Sequence, residues 1–377
     1  MANPISDFFN NLFQPKGQSV LGVDIGSSSI KVVQLKKKKG RAVLETYGEI
    51  ALGPYAGFEI GQATNLPVDK LIEAVKDVIK ESNITTTNCG IAIPIKSSLV
   101  TIVEMPAFNT RQLAQMIPIE ARKYIPVPIT EVSLDWSIIP NEEEIPSEEE
   151  SRPDSTAPGK KVEKTDVLVV AIHNEVLTKY QDIVKGANLS SNFFEIEMFS
   201  AVRSSLDQDI APVMVFDMGA GATKIYIVER GVIRGSHIIN TGSQNITMNI
   251  SRSMGVSVAM AEKMKRGIGS NQPAQEKQIS EIIDITIDPV FSEAENVMLN
   301  YQKRNNKNIS KVLLTGGGVS LKGIIEKAKK YLQTEVVFSD PFAKVDAPAF
   351  LKDVLKSTGP EFSVAIGIAL RKLQEVE

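Results

Sequence analysis

The sequence predicts an α/β protein of two lobes built on one repeated plan, with an α+β subdomain inserted between the copies. Three observations carry this. A strand–turn–strand unit occurs twice: Val20–Val23 runs into GVDIGSSSIK (Gly22–Lys31), and Val213–Phe216 runs into DMGAGATK (Asp217–Lys224). Both read apolar strand, Asp, apolar residue, Gly, small residues, then a strand opening with Lys. The stretch 89–190 lies between the copies and is needed by neither. Far downstream, the strand Val312–Leu314 enters a third glycine turn, LTGGGVSLKGI (Leu314–Ile324), which reads as strand to helix, the helix starting at about Leu321.

Val20–Ile50 is expected to form a three-stranded meander, turning at Lys36–Gly40, where the four lysines Lys36–Lys39 read first as a solvated hairpin tip and second as a contact for anionic lipid. Leu71, Val75, Val78 and Ile79 give Val68–Ser82 helical spacing. Strand–strand–strand–helix opens a ribonuclease-H-like unit. The second unit has strands at Val213–Asp217, Ile225–Glu229 and Ile233–Ile239. Within the insertion, strands are expected at Gly90–Ile93 and Ser98–Glu104, with a helix near Arg111–Tyr124. Asn141–Asp166 has no apolar period and reads as a polar loop, acidic first and basic last. Helices at Ser243–Gly255, Ser257–Gly267 and Gln275–Arg304 (one or two helices) form a helical subdomain. Ser310–Leu314, Leu321–Leu332, Glu335–Phe338 and Glu361–Gln374 complete the chain. The expected division is 17–88 with 191–211 and 360–377 for the first lobe, and 89–190 for the insertion. The second lobe takes 212–242 and 306–359, and the helical subdomain 243–305.

With 377 residues the chain is too long for one core of ordinary size. Its net charge of −3 gives no basic surface of the kind nucleic acid requires, so no nucleic-acid partner is expected. A single cysteine, Cys89, excludes an internal disulfide and reads as a small hydrophobe at a strand start. Two histidines and one cysteine argue against a transition-metal site. No apolar run reaches the roughly 20 residues of a membrane span. The tail Met1–Lys16, with Phe8, Phe9, Leu12 and Phe13, has room for one amphipathic helical turn against a membrane or partner, or for a disordered end.

The turns carry the chemistry. Gly26, Gly219 and Gly221 let the backbone take positive φ and come close to an anion. Ser27, Ser28, Ser29 and Thr223 add short hydroxyl donors, and Lys31 a point charge for a phosphate tail. Asp24 and Asp217 are hard oxygen ligands suited to Mg²⁺. Gly316, Gly317 and Gly318 offer bare backbone to a flat ring or a phosphate. Any one of these turns alone is an ordinary loop, and Asp24 alone an ordinary turn carboxylate. Three in order, each directly after an apolar strand, point to one nucleotide site.

This order of two phosphate turns and an adenosine turn resembles the actin-like ATPases over nearly the whole chain. Within them, Gly22–Leu35, Glu104-Met105-Pro106 with Ile117–Val132, and Val167–Leu189 are most similar to the PilM-type pilus assembly proteins. The resemblance implies an actin-like two-lobed fold with an insertion of FtsA/PilM type, and ATP or ADP with Mg²⁺ between the lobes. Glu262 and Lys265, three residues apart on one helix face, would be an ordinary surface ion pair on spacing alone. The resemblance places Glu262 at the ribose and Lys265 near the base. It places Glu197, after the strand of FFEIEMFSAV (Phe193–Val202), where a polar residue orients the attacking water. The customary Pro after it is Met198 here, and Glu195 has the same chemistry. The resemblance further implies a cytoplasmic platform at the inner membrane. It would hold the N-terminal peptide of a PilN-type membrane protein in a groove near Ser98–Glu104, Pro106 and Arg111–Tyr124, framed by Leu113, Met116, Ile117 and Ile119. Other pilus motor components and self-association stay open as partners. So does the choice between slow hydrolysis and ATP as a structural cofactor. The rivals are an FtsA-like polymerising division protein, which would add a linker and a basic amphipathic helix after Gln374, and a small-molecule kinase, whose insertion would be of another kind.

Overall fold

Strand β1 (Ser19–Ile25) is apolar on both faces because it runs through the middle of a sheet. It pairs antiparallel with β2 (Ser29–Lys38), which pairs antiparallel with β3 (Arg41–Ala51). On its other side β1 pairs parallel with β4 (Cys89–Ile93), and β4 with β8 (Phe194–Ile196). The order is β3-β2-β1-β4-β8. A second sheet repeats it with β9 (Val213–Met218), β10 (Thr223–Glu229), β11 (Val232–Ile239), β12 (Lys311–Thr315) and β13 (Glu335–Phe338), in the order β11-β10-β9-β12-β13. The repeated grammar of the sequence is therefore a repeated topology: an antiparallel meander continued by two parallel strands. The structure is a computed structural model describing residues 19–106, 110–139, 164–191, 193–207, 209–267 and 273–376.

A third sheet, β5-β7-β6, comprises β5 (Ser98–Pro106), β6 (Val132–Ile139) and β7 (Lys164–His173). With helix α2 (Thr110–Ala121) it encloses its own core of Val103, Met105, Leu113, Ile117, Val167 and Val169. This is the inserted α+β subdomain, narrower than expected. Cys89–Ile93, assigned to the insertion from sequence, is an inner strand of the first sheet, buried along its whole length. Helix α3 (Asn174–Gly186) likewise packs Tyr180, Ile183 and Val184 with Leu71, Ala74 and Val75 of α1 (Val68–Glu81). A short, uniformly apolar strand reads the same in either unit; only its pairing tells them apart. Cys89 is the buried hydrophobe expected, its thiol pushed up to about 12 by burial.

Helix α4 (Glu197–Ser205) follows β8 directly, and α10 (Ser363–Gln374) closes the chain against β1. Two glycines permit this packing. A Cβ on Gly22 would lie 2.0 Å from the Ala365 carbonyl oxygen, and one on Gly367 1.9 Å from that of Ser200. Over the second sheet lie α5 (Ser243–Met254), α6 (Val258–Lys265) and α7 (Pro273–Asn305), with α8 (Ile324–Leu332) beside them. Gln275–Arg304 falls within α7, a single helix despite Pro289. Helix α8 starts three residues later than expected, because Gly317–Ser320 forms a 3₁₀ turn and Gly323, at φ 77°, interrupts the backbone before Ile324. A short helix α9 (Lys352–Thr358) precedes α10.

The lysine run ends in a tight hairpin: Lys39 and Gly40 both have positive φ, and Lys38 pairs with Arg41. The Phe-rich tail lies outside the described residues. So does the polar loop, except for Lys164–Asp166, which open β7. Among the described residues no helix is long and apolar enough to cross a membrane.

Candidate nucleotide site

The two aspartate–glycine turns have one geometry. Gly26 N–H donates to the Ser29 carbonyl at 3.0 Å, and Gly219 N–H to the Ala222 carbonyl at 2.9 Å. They face each other so closely that a Cβ on Gly221 would sit 3.2 Å from Ser27 Oγ. Between them opens a cleft of about 720 Å³, within the range of small-ligand sites. Asp24, Gly26, Ser27, Ser28, Ser29, Lys31 and Glu197 line it from the first half of the chain, and Asp217, Gly219, Gly221, Glu262, Lys265, Gly316 and Gly317 from the second.

Some predicted residues have other work. Thr223 is fully buried and donates to the Thr241 carbonyl, tying β10 to the segment before α5. Gly318 is packed under Met218, where a Cβ would lie 2.5 Å from the Met218 side chain. Neither lines the cleft. Contrary to the sequence expectation, Gly26, Gly219 and Gly221 are not among the positive-φ glycines. At Gly26 and Gly219 a Cβ would instead crowd the turn-closing carbonyls of Ser29 and Ala222, at 3.0 and 3.1 Å. Gly316 does need its freedom, with φ 86° and a hypothetical Cβ 2.4 Å from Asp217 Oδ1. Gly317 is the open one: its nearest neighbour would be Glu361, at 3.9 Å.

Register explains the charges. Asp24, Lys31 and Glu49 are successive cross-strand partners on β1, β2 and β3. Lys31 Nζ donates to Ser29 Oγ at 2.7 Å and pairs with Glu49 at 2.9 Å, so the expected phosphate cation already has a carboxylate. Asp24 has no ion pair among the described residues. Burial raises its carboxyl pKa to about 6, with the Lys31 and Lys224 charges pulling the other way. In the second copy Lys224 is the cross-strand partner of Asp217, and it is the main residue that sequence reasoning missed. Its ammonium lies 2.6 Å from Glu197 Oε2 and 3.4 Å from Asp217 Oδ2. Burial alone would lower the Lys224 pKa; the two carboxylates outweigh it and raise it. Glu197 is buried, and its Oε1 accepts the Ile95 N–H at 2.9 Å. Glu195 is the structural one of the two glutamates, clamped by Arg203 and Ser200.

Glu262 and Lys265 form a buried pair rather than a solvated one, at 2.6 Å. Thr247 Oγ1 and Arg266 Nε also donate to Glu262, and Lys265 reaches Thr247 Oγ1 at 2.9 Å. Burial would raise the Glu262 pKa, but Lys265 and these donors lower it, while burial lowers that of Lys265. Glu361 joins them unforeseen, its pKa raised by burial and by Glu49 against the pull of Lys31. No spacing rule marks a Glu after Gly-Pro as a cleft residue. Two further contacts join the first half of the chain to the second: Glu59 accepts the Ala259 N–H at 2.6 Å, and Lys96 donates to Asn240 at 2.9 Å.

For magnesium, the donor set fits an ion held by one carboxylate, Asp24, with waters and phosphate oxygens supplying the rest. Among the described residues no cluster of three acidic, His or Cys side chains is poised for a metal, and Asp217 already faces an ammonium. In the insertion, Leu113 and Ile117 belong to the core and cannot frame a groove; of the four residues expected there, Met116 and Ile119 are 39% and 57% exposed. Strand β5 pairs with β7 on one side within its three-stranded sheet.

A family model, type IV pilus assembly protein PilM, matches residues 22–373. Among curated proteins, cell division protein FtsA of Rhizobium meliloti (strain 1021) is 24% identical over 237 residues, 54% of this chain and 52% of that protein. FtsA of Bacillus subtilis (strain 168) is 20% identical over 377 residues, 89% of this chain and 81% of its own. The chain thus spans about half the length of the first of these relatives. Among solved structures, the PilM-PilN type IV pilus biogenesis complex superposes with a TM-score of 0.77 at 21% identity, covering 95% of this chain and 99% of that one. MreB 5 of Spiroplasma citri bound to AMPPNP gives 0.51 at 9% identity, covering 96% and 98%. These likenesses establish an actin-like two-lobed fold. With nearly the whole chain matched by the family model, the protein belongs to the PilM family of type IV pilus assembly proteins.

Proposed function

We propose that this chain is an ATP-binding, actin-like assembly platform of the type IV pilus machinery. One observation carries the nucleotide part: two turns of identical geometry meet across a cleft that a third glycine turn also enters. ATP would lie with its phosphates between Ser27–Ser29 and Gly219–Gly221, and its base and ribose towards Gly317, Glu262 and Lys265. Magnesium, when bound at Asp24, neutralises phosphate charge. Water would attack the γ-phosphoryl group in line, with Glu197 positioning it. Both Glu197 oxygens are already engaged by Ile95 N–H and Lys224, which favours slow turnover or ATP as a structural cofactor.

For the partner, the relative solved as a PilM-PilN complex supports a PilN-type protein; its N-terminal peptide would bind in an extended form beside β5 and α2. It would bring the chain to the inner membrane from the cytoplasmic side. Calorimetry tests the nucleotide reading. Mg-ATP should bind the wild type, more weakly to Asp24→Ala, and not detectably to Gly317→Val, whose side chain would project into the cleft. Equal affinities in all three would remove the site assignment.

A further inference from the structure

The two halves of the cleft are built alike but charged differently, and the cause is one position. In the first copy the strand beyond Lys31 presents Glu49 as its cross-strand partner, and the ammonium turns to it. In the second copy the strand beyond Lys224 presents Ile238, which offers no charge. Lys224 therefore turns the other way, to Asp217 and Glu197. It spans the lobes: Glu197 follows a strand of the first sheet, and Asp217 is the penultimate residue of a strand of the second. A positive charge is thus fixed between two carboxylates of the cleft lining, beside the turns that would hold the phosphates.

We propose that Lys224 is a built-in cation of this site, a positioning residue whose ammonium does at Asp217 and Glu197 what a bound divalent ion would do. This rests on the nucleotide reading above and deepens it. A tethered ammonium at this place neutralises the carboxylates whether or not a metal is present, and it remains near an incoming phosphate. Nucleotide binding by this chain therefore depends only weakly on divalent ions. The same contact keeps Glu197 fixed, which ties weak metal dependence to low turnover. An ordinary Mg²⁺-dependent site gives the opposite pattern, because without the metal its carboxylates repel the phosphates.

The experiment is calorimetric titration of the full chain with ATP, once with Mg²⁺ and once with EDTA. The wild type should lose less than about tenfold in affinity in EDTA, a difference of under about 1.4 kcal/mol. Lys224→Ala should lose about a hundredfold or more, and Lys224→Arg should behave as wild type. A merely structural lysine would change affinity in both conditions alike and leave the ratio unmoved. A wild-type loss of a hundredfold in EDTA overturns the proposal by itself, even if Lys224→Ala does not fold. So does an unchanged ratio in a folded Lys224→Ala. Absence of ATP binding to the wild type under both conditions overturns the nucleotide reading itself, a result distinct from strong binding that needs the metal.

Discussion

At the scale of single residues, the cleft is a set of ionisable groups whose partners are set by strand register, helix spacing and lobe packing. Glu197→Gln keeps an acceptor for Ile95 N–H but removes the charge facing Lys224. It should abolish any ATP hydrolysis while leaving ATP affinity within a few-fold, read by phosphate release and calorimetry side by side; full turnover in the variant would place the water-orienting group elsewhere. Glu361 gives a pH prediction. Its folded pKa is raised from the usual 4.5, so folding favours the protonated carboxyl. Its contribution to stability is therefore present at low pH and lost as pH rises through the folded value. Glu361→Gln should unfold at a higher temperature than wild type at neutral pH, and this advantage should fade below about pH 4.5. An advantage equal at both pH values would mean that charge is not the cause.

At the scale of elements, helix α10 comes closest to strand β1 at Gly22, where the strand carries no side chain. Gly22→Ala would push a methyl into the Ala365 carbonyl, and overpacking of this kind costs about 1–3 kcal/mol or more. The denaturant midpoint should fall by the corresponding amount. An unchanged midpoint would show that the helix can slide away from the strand. In the insertion, α2 turns Leu113 and Ile117 inward and leaves Met116 out. Met116→Glu should therefore spare folding and ATP affinity but break recruitment to membranes bearing the PilN-type partner, measured by co-sedimentation. Retained association would point to a direct lipid contact, for which the Lys36–Lys39 turn is the candidate.

At the scale of the whole molecule, a ligand held by both lobes stabilises the pair together. ATP at a hundred times its Kd should add about 2.7 kcal/mol to the unfolding free energy, and Gly317→Val should lose that gain while keeping the unliganded stability of wild type. A thermal scan with and without nucleotide reads both. The chain's own residues determined the duplicated plan, because a strand–Asp–Gly–strand signal is local: Val20–Lys31 and Val213–Lys224 carry the same residue pattern. They also determined most of the cleft, since the strands that end in these turns place Asp24, Ser27, Asp217, Gly219 and Gly317 together. The tertiary structure alone decided what depends on pairing. It put Cys89–Ile93 in the first sheet, took Thr223 and Gly318 out of the cleft, and brought Glu361 into it. It also gave Lys31 to Glu49 and Lys224 to Glu197. An ammonium takes the carboxylate nearest in space, and which one that is follows from strand register and lobe packing, neither of which a linear sequence contains.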